Sequence, residues 1–476
     1  MKLMKFNKEF PEEFLFGGST SSIQFEGGMN EGGRGKSVID NFKFTNNITD
    51  FSMGSDHYHH YKEDIRLAYE ANLKSYRFSI SWTRILPNGN GEVNQEGIEF
   101  YNNIINELVH YGIEPIVTIY HFDYPQHLVD EYGGWTNRKS IDDFVDYCRI
   151  LFETYGDRVK YWLTINEQDH VIRIPSRMGL TGKEVNYDQL RYQANHHMCV
   201  ASAKAFKLCH ELCPQSKIGP ALSYQPIYPA SSKSEDVLAA NDMEMLYMNY
   251  MCELQCKGVY PIRLWKYLTD RNIEPEIMDG DMECMKENTP DYLGINYYCS
   301  GCAGYAPVTD EHPLGRIEGD IMPKAEYGIF KTIKNENLEL TKFGWAIDPV
   351  GITYALINLY ERYNLPLMIT ENGLSYPDEL IHDTVEDDYR IDYIASHLKA
   401  INEAINIGVE VLGYNLWSFI DLISGHQGFN KRYGLVYVNR DDFDLKDMKR
   451  YKKKSFEWYR QTISERGKNL YNEKID

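Results

Sequence analysis

Little in this chain of 476 residues suggests attachment to a membrane or a nucleic acid. It has no run of about 18 apolar residues, the length a membrane-crossing helix needs. No apolar stretch precedes Pro11 and the two glutamates after it, so nothing there reads as a secretory signal. Positive charge is scarce: 50 Lys and Arg against 70 Asp and Glu leave a net charge of −20, which excludes general attraction to nucleic acid or an anionic lipid surface. No Pro/Gly/Ser-rich linker, low-complexity tract or abrupt shift in composition divides the chain. Length alone would suggest about three domains; without linkers, a single domain over residues 1–476 is expected. A cytoplasmic location is the matching expectation, and self-association stays open.

The nine cysteines are an odd number, scattered through helical and strand patterns. Cys209 and Cys213, like Cys252 and Cys256, stand one helical turn apart, and Cys299 and Cys302 form a lone CxxC. A metal site usually needs a second pair, or histidines at the right spacing. Buried thiols and no metal are therefore expected. The "DHYHHY" stretch (Asp56 to Tyr61) leads directly into the amphipathic pattern "KEDIRLAYEANL", which makes polar packing its simplest role.

What the chain does have is a rhythm. Eight short apolar, β-branched or aromatic runs recur: "FLFGGSTSS", "SYRFSIS", "PIVTIYHF", "YWLTIN", "KIGPALS", "DYLGINYY", "LPLMITE" and "VLGYNLWSF". Helical periodicity lies between them. Tyr101, Ile104, Ile105 and Leu108 share one face, as do Ile141, Phe144, Val145, Cys148, Leu151, Phe152 and Tyr155. Alternating strands and helices imply parallel pairing through right-handed crossovers, and eight such units suggest a closed α/β barrel of the (β/α)8 type with extended loops. In such barrels the chemistry sits at the C-terminal strand ends. Those ends carry Gln24 and Glu26, Arg77, His121, Asn166 and Glu167, Asn296 and Tyr298, Glu371 and Asn372, then Trp417. A polar strand end is unremarkable singly, but seven together favour a shared cleft.

Two of these residues are carboxylates that follow dense apolar runs, Glu167 in "YWLTINEQ" and Glu371 in "PLMITENG". Paired carboxylates across one cleft are what glycoside hydrolysis requires, one to protonate the leaving oxygen and one to deal with the anomeric carbon. At this point the chain resembles family 1 of the glycoside hydrolases, retaining β-glycosidases built on a (β/α)8 barrel. The resemblance runs nearly end to end, through "FLFGGSTSSIQFEGG", "KSYRFSISWTRI", "TIYHFDYPQHL", "GGW", "WLTINEQ", "DYLGINYY", "GWAIDPVG", "ITENG" and "WSFIDLISG". It implies Glu167 as acid/base and Glu371 as nucleophile, with Arg77, Asn296 and Tyr298 supporting the nucleophile. It also implies Asn166 against the sugar 2-hydroxyl, Gln24, His121 and Trp417 as the sugar-binding floor, and Trp345 on the aglycone side. No cofactor or metal is implied. Glu167 must carry a proton for the first step, which a negative Glu371 nearby favours. Many relatives have proline after the acid/base where this chain has Gln168.

One departure bears on the substrate. In "NLWSFIDLISGHQGFNKRYGLVYV" (Asn415 to Val438), relatives acting on plain sugars carry a glutamate followed by tryptophan where this chain has Ser424 and Gly425. A carboxylate about 4 Å from a phosphate would cost about 4 kcal/mol per charge pair at an effective dielectric of 20. Serine removes that repulsion and donates a hydrogen bond; Lys431 adds a positive charge and Tyr433 another donor. The Ser424, Lys431, Tyr433 set resembles the phosphate-binding loop of the 6-phospho-β-glycosidases, and Gly425 resembles the glucose-preferring branch. The resemblance thus implies a 6-phospho-β-glucosidase acting on phosphorylated β-disaccharides or aryl β-glucosides. A 6-phospho-β-galactosidase, a plain β-glucosidase and a catalytically silent sugar-binding barrel remain as alternatives. The aglycone side is expected to be built by "VIRIPSRMGLTGKEV" and "GCAGYAPVTDEHPLGRIEGDIM".

Overall fold

The computed structural model describes residues 6–42, 48–180, 185–319, 322–425 and 427–472. Parts of the two long loops just quoted, at 181–184 and 320–321, lie outside the described residues. Eight parallel strands close into a barrel: β1 (Leu15–Ser19), β2 (Ser75–Ser79), β3 (Glu114–Tyr120), β4 (Tyr161–Asn166), β5 (Lys217–Ser223), β6 (Leu293–Asn296), β7 (Leu367–Asn372) and β8 (Val411–Trp417). The eight apolar runs of the sequence supply them one for one. Pairing of β1 with both β2 and β8 shuts the ring.

Strands covered on both faces read as unbroken apolar runs, because neither side meets water. The lower half of the barrel is filled by Ile116, Leu163, Ala221, Tyr292 and Met368, with Leu15 and Leu412 packed against them. On each strand these residues precede the polar ones, so an apolar plug supports a polar tier above it. The register aligns that tier: Ser19 stands opposite both Arg77 and Trp417, and Glu371 opposite Asn296. Outside the strands, helix Gln95–His110 buries Tyr101, Ile104, Ile105 and Leu108, and helix Lys139–Tyr155 buries the expected stripe except Val145, which is half-buried.

Gly373, next after β7, is a close-approach glycine. A Cβ there would meet the Trp417 carbonyl oxygen at 1.8 Å, so glycine lets the ends of β7 and β8 come together. A five-stranded sheet also lies outside the sequence reading, made of Ile227–Pro229, Gly301–Gly304, Phe330–Thr332, Ala325–Tyr327 and Gly315–Ile317. It grows from the excursions after β5 and β6 and borders the barrel mouth. The "DHYHHY" histidines are engaged in packing: His57 pairs with Asp64 at 2.8 Å, Asp64 with Arg450 at 2.8 Å, and His59 with Asp56 and Glu31. The nine cysteines form no disulfide.

Candidate active site

Two carboxylates open onto a cavity of about 500 Å³ at the C-terminal mouth of the barrel. Glu371 reaches it because β7 slips register between Ile369 and Glu371, an irregularity that re-aims a strand-end side chain. The group is nearly buried, 4% exposed. Arg77 Nη1 donates to its Oε1 at 2.5 Å and the Tyr298 hydroxyl donates to its Oε2 at 2.7 Å. Arg77 is itself fixed by Thr118 Oγ1 (2.9 Å), the Thr370 carbonyl (3.3 Å) and Asn166 Oδ1 (2.7 Å). Burial pushes the Glu371 carboxyl up to about 7, Arg77 and Tyr298 pull it down, and Glu167 adds repulsion. Loss of water thus outweighs the ion pair.

Glu167 follows a register shift in β4 and takes φ +43°, anchored by its backbone N–H to the Ala221 carbonyl at 2.7 Å. That left-handed backbone costs a non-glycine residue of order 1–3 kcal/mol and turns the side chain toward the cavity. Asn296 Nδ2 donates to Glu167 Oε1 and to Asn166 Oδ1, both at 3.1 Å, while Thr370 Oγ1 orients Asn296 at 2.6 Å. Asn166 Nδ2 meets His121 Nε2 at 3.1 Å, and the His121 ring stacks with Trp417, centroids 5.9 Å apart. Gln24 lines the same cavity, its Nε2 held by the Ile423 carbonyl at 2.8 Å. Hydrogen bonds therefore link Glu167 to Glu371 through Asn296, Asn166 and Arg77.

Beside this cluster, Ser424, Gly425, Tyr433 and Trp345 line the cavity. Mutual backbone hydrogen bonds between Ser424 and Gly428 (3.2 and 3.0 Å) close the turn that presents the serine. Lys431 is 3% exposed and is not itself a lining residue. Its Nζ rests 3.9 Å from the Trp345 ring centroid and 5.8 Å from that of Tyr433. Among the described residues no carboxylate pairs with it, and burial pulls its ammonium down to about 8. Trp345, expected on the aglycone side, also touches Tyr298 edge-on at 5.3 Å.

Glu26 and Asn372, singled out with this set, lie elsewhere, as does Arg432 beside Lys431. Arg432 turns away: it donates to Asp421 at 2.9 Å and to the carbonyls of Val438 and Arg440. Asp421 also accepts from Gly434 N–H and from Lys453, which bridges to Asp378. An extended bridge between Tyr376 and Arg432 makes successive side chains alternate, so Lys431 and Tyr433 share one side and Arg432 the other. Glu26 accepts from Tyr101 at 2.5 Å and Arg84 at 3.3 Å, outside the cavity. Asn372 bonds the Tyr297 carbonyl and the Tyr393 and Tyr414 hydroxyls.

Other participants escaped the sequence reading. Thr118 and Thr370 orient the polar chain. Asp123 accepts from the backbone N–H groups of Trp82 and His121 and so fixes the turn carrying His121. His170 Nε2 lies 3.2 Å from Glu167 Oε2. Its one sequence signal was its position three residues after Glu167.

A family model described as glycosyl hydrolase family 1 matches residues 6–468. An aryl-phospho-β-D-glucosidase, BglC, of Bacillus subtilis (strain 168) is 42% identical over 97% of this chain and 99% of its own. A 6-phospho-β-glucosidase of Clostridium longisporum is 40% identical over 98% of this chain and all of its own length, 100%. Among solved structures, a family 1 β-glucosidase from Thermotoga maritima superposes with a TM-score of 0.85 at 34% identity, covering 96% of this chain and 98% of that one.

Proposed function

The chain belongs to glycosyl hydrolase family 1, and from that premise we propose that it hydrolyses 6-phospho-β-D-glucosides with retention of configuration. Glu371 attacks the anomeric carbon while Glu167 gives its proton to the departing oxygen, forming a glycosyl ester and free aglycone. Water, deprotonated by Glu167, then attacks the same carbon, releasing glucose 6-phosphate and restoring both carboxyls. Arg77 and Tyr298 hold the attacking oxygens, and Asn166 takes the 2-hydroxyl. Gln24, His121 and Trp417 receive the sugar hydroxyls and face.

The observation that carries the phosphate is Lys431. A buried ammonium with no carboxylate partner among the described residues, in a chain of charge −20, is poised for an anion that arrives with the substrate. Ser424 and Tyr433 supply donors on the same side. The small Gly425 favours the gluco epimer. Nitrophenyl β-glucoside with and without a 6-phosphate tests the reading: the phosphorylated compound is expected to have the higher kcat/KM, and preference for the plain one would defeat it. The 6-phosphogalactoside, expected to be the poorer epimer, decides the sugar. A substrate phosphorylated on import matches a cytoplasmic enzyme, and no described helix is long and apolar enough to cross a membrane.

The pH profile follows from Glu371. Attack needs its carboxylate, so kcat/KM is expected to fall about tenfold per unit as pH drops below about 7. The substrate phosphate loses its second proton near pKa ≈ 6, below that limb. Arg77→Met removes the charge that lowers the Glu371 pKa and is expected to move the limb to higher pH; a limb that stays put would mean another group controls it.

A further inference from the structure

Glu167 has a polar neighbour at each oxygen, a hydrogen bond from Asn296 at one and a close histidine at the other, and that histidine has no part in the proposed chemistry. His170 opens the turn His170–Arg173 just past β4. Its Nε2 lies 3.2 Å from Glu167 Oε2, while Asn296 Nδ2 donates to Oε1 at 3.1 Å. The imidazole lies flat on Phe122, centroids 4.9 Å apart and planes 12° from parallel. Phe122 in turn sits at φ +68° where β3 leaves the barrel. The next charges on the turn are engaged with each other: Arg173 donates to Asp169 at 2.6 Å and to Ser223 Oγ at 3.2 Å. Both His170 and Arg173 line the cavity.

We infer that His170 is a positioning residue for Glu167, fixing the plane of its carboxyl group in both halves of the reaction. The inference rests on Glu167 acting as the acid/base. A carboxyl bonded at one oxygen can swing about its terminal bond; a polar neighbour packed against the other oxygen limits that swing, and misaim of the proton is costly. An imidazole with its hydrogen on Nε2 suits this, because it can donate toward Oε2 of the acid and of the carboxylate alike and leaves the acid's single proton for the leaving oxygen. The contact therefore survives the change of protonation that separates the two half-reactions. The stack on Phe122 keeps the ring from turning away.

The test uses leaving groups. Phenyl 6-phospho-β-glucoside releases a phenolate that needs a proton, whereas the 2,4-dinitrophenyl analogue departs without one. His170→Phe keeps the stack and deletes the nitrogen; His170→Gln keeps a nitrogen near the same place. We expect His170→Phe to lower kcat/KM for the phenyl substrate by about tenfold or more, a part of what general acid catalysis supplies. The dinitrophenyl substrate should lose far less, and His170→Gln should recover most of the loss. Equal loss on both substrates, or none on the phenyl one, overturns the inference. Glu167→Ala, run alongside, separates the two claims. If it hydrolyses both substrates with equal loss, the acid/base reading falls and takes the inference with it. A leaving-group split in Glu167→Ala without one in His170→Phe overturns the inference alone.

Discussion

Glu371→Ala is expected to lower kcat by about four orders of magnitude or more, the scale on which removal of a covalent nucleophile acts. Arg77 and Tyr298 would remain, aimed at a space that held a carboxylate. Arg77 keeps its bonds to Thr118, Asn166 and the Thr370 carbonyl, so the donors should stay in place. A small anion can then enter beside the guanidinium. Added azide is expected to restore part of the turnover and to yield a glucosyl azide of inverted configuration, because one displacement replaces two. Undiminished hydrolysis by this variant would remove Glu371 from its role, and an azide product of retained configuration would contradict direct attack from the vacated side.

The second large effect concerns Lys431. Truncating one partner of a buried charge pair typically costs about 2–4 kcal/mol, roughly thirty- to a thousandfold in kcat/KM. Lys431→Met should impose that loss on phosphorylated substrates and leave the plain glucoside little changed. The lysine also sets a pH dependence whose sign is fixed. Burial pulls its ammonium down to about 8; a bound phosphate favours the charged form and raises that value. Affinity for the phosphorylated substrate is therefore full below about 8 and declines as pH rises above it. KM for the plain glucoside should show no such rise, and Lys431→Met should abolish it. Equal damage to both substrates would assign Lys431 to folding.

The barrel was legible because its signal is local. Each strand is a dense apolar run, and the polar residues at the run ends mark the mouth. The five-stranded sheet was not, since its members are three or four residues long, too short for periodicity to register. Errors around the site share one cause, a change of geometry over one or two residues. Gln24 and Glu26 look equivalent in an extended chain. The helical turn Ser22–Phe25 instead rotates residues two apart by about 200°, sending Gln24 to the cavity and Glu26 to Arg84. Asn372 follows Glu371 along a strand and so faces the other way. The seat of Lys431 on Trp345 joins distant parts of the chain, which no local pattern can encode.

The alternation through Lys431, Arg432 and Tyr433 has an evolutionary corollary. Neighbouring codons answer to different pressures: the outer two face whatever ligand diet a descendant adopts, while the middle one is tied into buried salt links whose rupture typically costs about 3–5 kcal/mol. Lineages derived from this chain could change their nutrient by drifting at the first and third positions while the second stays frozen.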